Sequence, residues 1–428
     1  MFTEKSLLPL KKSLIRHLLL TESSDSKMNI LFMSELFHPY GGGAELATYL
    51  YAKLLSEAGF NIKVITNKFV ADSEISKNEN WSIHRLNLFR ATRSLKYSTL
   101  QRVDVLLSSF MRKTMRWADL VYIPRFWFSA IPLARTIGKP VLVHIHDYIP
   151  ICPIAVLHNF SSGSMCNPSS QRCSPKCIYI HEREQGKSKR EVLSSTLMNS
   201  LVGRNLSRLI ELSDSVICVS NAQAAVITGK LPALRRKIQV VYNPLPYLSQ
   251  TEIISDDFGY IGGPGRLKGF HTLCLAIDRV KNKRIKVRAA GFDNPSGHID
   301  CEPKHRLVLH ERLTGQPFEE FWKQIRALIV PSICCEPLPY AVAEAMLRGR
   351  ILIASDVGGI PEQTAGCKGA FLVKPQDYDQ LAETVDFVSN MEREKVIDLG
   401  LGNREVFIQR FNNESIVKSF IDICERLI

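Results

Sequence analysis

The chain has 428 residues, of which 45% are hydrophobic and 23% are charged, a composition that excludes disordered, collagen-like and coiled-coil proteins. The length suffices for two or three domains of roughly 150 residues each. An excess of Lys and Arg over Asp and Glu gives a net charge of +13. This charge favours anionic partners, such as nucleic acid, acidic lipid or phosphorylated small molecules, without choosing among them.

No apolar stretch approaches the roughly 18 to 20 residues that cross a bilayer. Residues 1–27 are interpreted as an appendage, either a frayed terminus or a basic amphipathic helix at 5–20 that anchors to a surface. The segment lacks the long apolar core and the cleavage site of a secretory signal. We therefore predict a cytoplasmic protein whose 11 cysteines are mostly reduced.

From Met28 the chain alternates short apolar strands with amphipathic helices. Asn29–Met33 is predicted to be a buried strand, and a helix at 44–58 follows it. Further strands of this first half are predicted at 61–66, 120–123, 141–145, 216–219 and 238–242.

The pattern restarts after the paired prolines of Pro244 and Pro246, which are typical of a domain linker. A helix is predicted at 269–280, and strands at 258–261, 285–290, 306–309, 327–330, 351–354 and 370–373. Strands alternating with helices predict parallel sheets that are covered on both faces. The fold class is therefore α/β, with two doubly wound, Rossmann-like domains whose ligands are expected in an interdomain cleft, beyond the strands' carboxyl ends.

Four segments follow from this division of the chain. They are the appendage at 1–27, a first domain at 28–246 with a cysteine-bearing insert at 150–180, a second domain at 247–402 and a C-terminal helix at 403–428.

Two glycine-rich loops stand at predicted strand ends. Gly41 to Gly43 precede the first helix, whose free N–H groups favour an anion. A tight strand-to-helix turn is the alternative, and the spacing is not the dinucleotide fingerprint G-x-G-x-x-G. The loop from Gly262 to Gly269 carries Arg266 and Lys268, two cations that can reach a diphosphate.

Two carboxylates, Glu336 and Glu344, stand eight positions apart, about two helical turns, so that they can share a helix face. Carboxylates accept hydrogen bonds from hydroxyls, and paired oxygens suit the vicinal diol of a sugar. A solvated helix face is the ordinary alternative, but apolar residues surround both glutamates. His146, which ends the strand at 141–145, is a further candidate beside the alternative of a satisfied core histidine.

Together these residues resemble glycosyltransferase family 4, the retaining nucleotide-sugar enzymes with the two-domain GT-B fold. The resemblance runs from about Met28 to the last helix. Its most specific element is the E-x7-E pattern from Glu336 to Gly349, followed by Val357-Gly-Gly-Ile-Pro-Glu362. The glycines at 41–43, Lys268-Gly269, His146-Asp147, the segment 214–220 and Asn243 are also similar.

The resemblance implies a role for each matching residue. Glu336 would bind donor-sugar hydroxyls beside the reacting carbon, and Glu344 would bind the ribose of the nucleotide. Lys268 would neutralise the diphosphate leaving group, while His146 would contact the donor sugar near the reaction centre. The donor would also meet Gly42, Gly43, Pro339 and Tyr340.

The chemistry that the resemblance implies is front-face attack by an acceptor hydroxyl, with retention at the anomeric carbon. Fixed cations and a helix N-terminus would stabilise the departing diphosphate, which would take the proton. This scheme requires no metal or other cofactor. The helix at 403–428 would cross back onto the first domain.

Two departures from the family pattern keep other functions open. Gly263 stands where the family usually has an arginine five residues before Lys268, and Arg266 is the predicted substitute. Pro339 replaces a frequent glycine and supplies no N–H. The alternatives are a GT-B epimerase, which would release nucleotide without an acceptor, and a non-catalytic nucleotide-sugar-binding module. A phosphorylase would need a cofactor-binding lysine, which is not identified.

Four cysteines follow the His146 strand within one loop, and they are predicted either to hold a structural zinc or to be free or paired in disulfides. They are Cys152, Cys166, Cys173 and Cys177.

A basic, apolar-interleaved stretch between Arg85 and Arg116 predicts an amphipathic helix. It is read either as an ordinary packed surface helix or as a contact with anionic lipid at the inner face of the cell membrane. Nucleic acid is not expected as a partner, because no recognised module accompanies the charge. The sequence thus predicts a retaining, metal-independent hexosyl-type transferase acting on a glycan, polysaccharide or glycolipid acceptor.

Overall fold

A computed structural model of the chain describes residues 28–69, 81–87, 103–166, 173–294, 301 and 304–428. The predicted helix at 5–20 and part of the basic stretch lie outside these residues. The described chain forms two compact units. The first unit comprises the residues up to Leu245 together with Asn413–Ile428, and the second unit is Pro246–Asn412.

The first unit is built on seven parallel strands: β1 (Asn29–Met33), β2 (Asn61–Asn67), β3 (Trp81–Leu86), β4 (Leu120–Ile123), β5 (Val141–Ile145), β8 (Ser215–Cys218) and β9 (Ile238–Val240). Their order in the sheet is β3-β2-β1-β4-β5-β8-β9. A separate antiparallel hairpin lies in the cysteine-bearing insert and pairs β6 (His158–Asn159) with β7 (Ser164–Met165).

The helices of the first unit are α1 (Gly43–Glu57), α2 (Val103–Leu106), α3 (Ser109–Trp117), α4 (Ile131–Thr136), α5 (Pro175–Glu184), α6 (Lys189–Glu211), α7 (Asn221–Lys230) and, from the end of the chain, α14 (Asn413–Glu425). The connections from β3 to β4, β4 to β5, β5 to β8 and β8 to β9 all advance in one direction along the sheet. Right-handed crossovers therefore place α3, α4, α6 and α7 on one face, and α1 on the other.

The second unit repeats this plan with six parallel strands: β10 (Asp257–Ile261), β11 (Val287–Ala290), β12 (Leu307–His310), β13 (Ile325–Val330), β14 (Ile351–Ser355) and β15 (Ala370–Val373). Their order is β12-β11-β10-β13-β14-β15. The helices are α8 (Phe270–Arg279), α9 (Gln316–Lys323), α10 (Tyr340–Leu347), α11 (Ile360–Thr364), α12 (Tyr378–Ser389) and α13 (Arg393–Arg410). The predicted α/β class with two doubly wound parallel sheets is confirmed.

Two sequence predictions about elements were wrong. The structure breaks the single helix expected at 403–428 into α13 and α14, because Phe411 leaves the helical region with φ −113° and ψ 60°. The sequence analysis also missed β3, a short strand in which only Trp81 and Ile83 are buried.

The sequence analysis expected mostly reduced cysteines and did not foresee the one disulfide of the described residues. A disulfide joins Cys274 in α8 to Cys301 in the loop that follows β11. None of the other nine cysteines, all of which the structure describes, forms a disulfide.

Within the described parts of the chain, no helix combines the length and the apolarity that crossing a membrane requires.

Candidate active site

An ion pair between Lys268 and Glu336 lies at the carboxyl edge of the second sheet. Lys268 follows β10, Glu336 follows the neighbouring strand β13, and the lysine Nζ is 2.7 Å from the glutamate Oε1. The lysine side chain is half-exposed, whereas the glutamate is buried. The nearby glutamate carboxylate raises the pKa of Lys268 above its ordinary value. A fixed cation and a fixed carboxylate therefore meet at a ligand-binding edge.

Neighbouring loops hold Glu336 in place. The Ser332 hydroxyl donates to Glu336 Oε1 at 2.9 Å, and the backbone N–H of Ile333 donates to Leu267 O at 2.9 Å, which joins the loops after β13 and β10. Gly358 has φ +57°, and a Cβ there would lie 2.1 Å from the carbonyl oxygen of Glu336. The Val357–Glu362 motif thus supports the loop that carries Glu336.

The backbone explains why position 263 holds a glycine and not the arginine that is usual in the family. Gly263 has φ +61°, and a Cβ there would come 2.4 Å from the carbonyl oxygen of Gly291. A larger residue is therefore excluded unless the two loops separate. Arg266 is exposed in a short 3₁₀ turn, two positions before Lys268. The same loop thus keeps a second cation, although at another position.

Glu344 is buried within α10, and burial raises the pKa of its carboxyl group to about 7. Arg348, one turn later, lowers that pKa but is itself engaged with Glu319 through two nitrogen–oxygen contacts of 2.5 Å. Pro339 occupies the position before α10, and Tyr340 begins the helix. Glu336 therefore precedes the helix and Glu344 lies inside it, as the spacing predicted.

His146 follows β5 at the carboxyl edge of the first sheet. Its ring stacks on that of His144 at a centroid distance of 4.1 Å, and the His144 Nδ1 meets the Tyr122 hydroxyl at 2.8 Å. Burial, with a smaller contribution from Arg125, lowers the pKa of His146 to about 3. Its imidazole is therefore neutral at pH 7 and can donate or accept a hydrogen bond without carrying charge.

The glycine turn before α1 is already occupied by a carboxylate of the chain. The backbone N–H of Gly42 donates to Glu45 Oε2 at 2.6 Å, and Glu45 Oε1 lies 3.0 Å from an Arg125 guanidinium nitrogen. The first N–H of this helix terminus is thus satisfied internally. A phosphate at the Gly42 N–H would compete with Glu45, which the sequence interpretation did not foresee.

The sequence analysis also missed Glu35. This residue follows β1, is 1% exposed, and neither carboxyl oxygen has a hydrogen-bond partner of good geometry. Burial raises its pKa to about 8, against weaker lowering by backbone N–H groups and Arg125. Glu35, Arg125 and His146 follow β1, β4 and β5, which are adjacent in the sheet. Their common position after neighbouring strands was the signal that could have found them.

The four cysteines of the insert gather around the hairpin of β6 and β7. Burial, and the neighbouring thiols, raise the pKa of Cys166 and of Cys173 to about 12. Cys177 Sγ accepts the backbone N–H of Phe160 at 3.3 Å, and Cys152 is buried. Among the described residues, no group of three or more His, Cys, Asp or Glu side chains is arranged to hold a metal ion. The structural zinc therefore stays a prediction.

Comparison with known proteins shows which sequences this chain is similar to. The sequence model of Glycosyltransferase Family 4 matches residues 41–246, and that of Glycosyl transferases group 1 matches residues 255–390. An uncharacterized 42.6 kDa protein in the cps region of Klebsiella pneumoniae is 21% identical over 382 residues, covering 84% of this chain and 94% of its own.

Solved structures with the same fold extend over almost the whole chain. Sucrose-phosphate synthase from Thermosynechococcus elongatus aligns with a TM-score of 0.66 at 16% identity, covering 94% of this chain and 99% of its own. The Anabaena protein HepE in complex with UDP-glucose aligns with a TM-score of 0.63 at 18% identity, covering 94% and 100%.

The fold is therefore of the GT-B type, and the chain is a glycosyltransferase. The chain belongs to glycosyltransferase family 4, and its second unit matches the model of Glycosyl transferases group 1.

Proposed function

We propose that this glycosyltransferase moves a hexosyl group, with retention at the anomeric carbon, from a nucleoside-diphosphate sugar to a hydroxyl of a glycan, polysaccharide or lipid-linked acceptor. The observation that carries the proposal is the Lys268–Glu336 pair, with a 2.7 Å contact at the carboxyl edge of the second sheet. A diphosphate needs a cation, and a sugar needs hydrogen-bond acceptors for its hydroxyls.

The proposed division of labour follows from charge and burial. Lys268 and Arg266 stabilise the diphosphate as negative charge builds on its leaving oxygen. Glu336, held by Ser332, orients the donor-sugar hydroxyls next to the breaking bond. Glu344 accepts hydrogen bonds from the ribose, and neutral His146 contacts the donor sugar. The acceptor hydroxyl attacks, its oxygen bonds to the anomeric carbon, and its proton passes to the departing diphosphate.

Donor identity and cellular location also belong to this proposal. HepE, which shares the fold, was solved with UDP-glucose, so UDP-glucose is the first donor to test. The location proposed is cytoplasmic, with contact at the inner membrane face. The contact with anionic lipid is supported by α3, which exposes Arg112, Lys113 and Arg116 while it buries Met111 and Met115.

Donor titration and turnover of single variants test the proposed roles. At pH 8, above the pKa of about 7 of Glu344, we expect Glu344→Ala to weaken nucleotide binding about tenfold or more, because a hydrogen bond to a charged group is lost. Glu336→Gln is expected to lower kcat and leave nucleotide affinity nearly unchanged. Lys268→Ala is expected to lower kcat by about 10²–10³, since it removes the charge that faces the leaving group. Calorimetry measures affinity, and nucleoside-diphosphate release measures turnover.

The matched control is Lys286→Ala, which removes an exposed lysine beside the amino end of β11, the opposite edge of the same sheet. Equal nucleotide affinity in the wild type and Glu344→Ala would contradict the assigned roles. Binding without turnover on any acceptor would indicate a binding module, and isomerised sugar with free nucleotide in the absence of acceptor would indicate an epimerase.

A further inference from the structure

Helix α6 exposes a row of leucines to solvent. Leu193, Leu197 and Leu201 are 61%, 61% and 56% exposed, far more than an apolar side chain in a packed helix. Their spacing of four places them along one face, because each step of four advances only about 40° around the helix. We call these three residues the leucine stripe. The opposite face buries Val192, Ser195, Asn199, Leu206 and Ile210. The inner face thus packs against the first unit, whereas the leucine stripe faces solvent in the part of the chain that the structure describes.

Exposed cations flank the leucine stripe. Arg190 and Arg208 are exposed and fall on the same side of the helical wheel as the leucines, and exposed Lys189 lies beside them. Acidic groups of α6 are less available on this side. Glu191 caps the helix by accepting the backbone N–H of Ser188 at 2.8 Å, and Glu211 is only half-exposed.

The surface around α6 has the same character. The neighbouring helix α5 exposes Tyr179 together with Lys176 and Arg183, although it also exposes Glu184. Helix α3, with its exposed Arg112, Lys113 and Arg116, lies on the same face of the first sheet by the handedness of the crossovers. An apolar ridge with basic surroundings therefore occupies one face of the first unit.

A basic amphipathic face of this kind fits the interface of an anionic bilayer. Leucine side chains enter the acyl boundary, while arginine and lysine stay at the headgroups and attract anionic phosphates. A second copy of the chain fits less well. Two such faces would bring arginines against arginines, and each chain carries a net charge of +13.

We propose that the outer face of α6, formed by the leucine stripe with Arg190 and Arg208, docks the protein onto an anionic lipid bilayer. The helix lies parallel to the membrane plane and does not cross it. The proposal rests on the membrane contact in the proposed function and names its surface. It does not depend on the donor chemistry, so vesicle binding can fail while the transfer of a sugar still holds, and the reverse.

Vesicle co-sedimentation of the full chain tests this surface. The vesicles are phosphatidylcholine alone or phosphatidylcholine mixed with phosphatidylglycerol. We expect the wild type to bind the mixed vesicles and to lose binding as salt rises. A variant with Leu193→Ser, Leu197→Ser and Leu201→Ser is expected to lose about five-fold or more in affinity. Arg190→Gln with Arg208→Gln is expected to weaken binding to the mixed vesicles alone.

The matched control replaces three exposed apolar residues of the second unit, with Phe387→Ser, Leu401→Ser and Ile408→Ser, and is expected to bind like the wild type. Thermal unfolding of every variant shows that the fold is kept, as expected for exposed positions. The proposal is overturned if the wild type ignores anionic vesicles, or if the leucine variant binds as the wild type does. It is also overturned if light scattering shows that the wild type is a dimer and the leucine variant is a monomer.

Discussion

At the scale of single residues, each of the two sheets of this glycosyltransferase has a buried glutamate at its carboxyl edge, and the two glutamates differ in whether they are paired. Glu336 is buried but paired with Lys268, and it also accepts the hydroxyl of Ser332. Glu35 is equally buried, yet it has no such partner, and its pKa rises to about 8. An unpaired buried carboxyl group is kept neutral because its ionised form would lose hydration without compensation.

The raised pKa of Glu35 predicts a pH-dependent stability. The folded-state pKa of about 8 exceeds the ordinary value of 4.5, so the folded state binds the proton more tightly than the unfolded state. The resulting stabilisation is complete below about pH 4.5 and is lost as the pH rises towards 8, by up to about 1.4 kcal/mol per pH unit. Glu35→Gln removes this dependence, so the variant should gain stability relative to the wild type as the pH rises.

Denaturant unfolding of both proteins between pH 5 and about pH 8.5 measures this difference. The charged neighbours Arg125 and Glu45 are present in both proteins, as is Glu344, whose raised pKa acts in the same direction. Their contributions largely cancel in the comparison. A constant stability difference across the range would show that Glu35 does not titrate there.

At the scale of elements, the candidate site of the second unit is positioned by loops that pack against and hydrogen-bond to one another. A backbone hydrogen bond joins the loop after β10 to the loop after β13, and the loop after β14 packs on the backbone of Glu336. Helix α8, which begins where the Lys268 loop ends, is tied through Cys274 to Cys301. The disulfide therefore restrains the helix that follows the proposed diphosphate-binding loop.

The disulfide predicts a redox-dependent stability. It closes a loop with a sequence separation of 27, for which loss of the crosslink is expected to lower the free energy of unfolding by about 3 kcal/mol. Cys274→Ser and the reduced wild type should therefore unfold at similar, lower temperatures than the oxidised wild type. Cys218→Ala, in β8 and outside both the disulfide and the cysteine-bearing insert, is the control and should show the same shift on reduction as the wild type. A wild-type transition that reductant leaves unmoved would refute the structural role of the bond.

At the scale of the whole molecule, the chain returns to the first unit after it has completed the second. Helix α14 packs on the first sheet through Phe420, whose ring lies 4.8 Å from Tyr51 and 5.2 Å from Tyr122. Asn413 fixes the start of this helix by donating to Leu245 O at 2.9 Å and accepting the Leu245 N–H at 2.7 Å. The first unit is thus completed by the last residues of the chain.

This packing predicts that the end of the chain is essential for stability. Phe420 is fully buried, so Phe420→Ala is expected to lower the free energy of unfolding by about 3–5 kcal/mol through lost burial and a cavity. Phe387→Ala, at a phenylalanine that is 57% exposed and whose ring meets Phe371 edge to face, should change it by only about 0.5–1.5 kcal/mol. Denaturant unfolding measures both, and equal effects of the two substitutions would contradict this view of α14.

Local sequence patterns were enough to predict the two parallel sheets and the position of the candidate residues at strand ends. Apolar runs of strand length that alternate with helical patterns are local signals, so they can be recognised in the amino-acid sequence alone. The spacing of Glu336 and Glu344 likewise placed one carboxylate before a helix and the other inside it, because helical periodicity is also local.

Which of these groups contact one another could not be predicted from local patterns, because the partners are remote along the chain. Lys268 and Glu336 are 68 residues apart, and they touch because β10 and β13 are neighbours in the sheet. The occupation of the Gly42 N–H by Glu45 and the burial of Glu35 likewise depend on loops that fold over one another. Pairing and desolvation are set by distances between segments remote along the chain, and these distances exist only once the sheets have assembled.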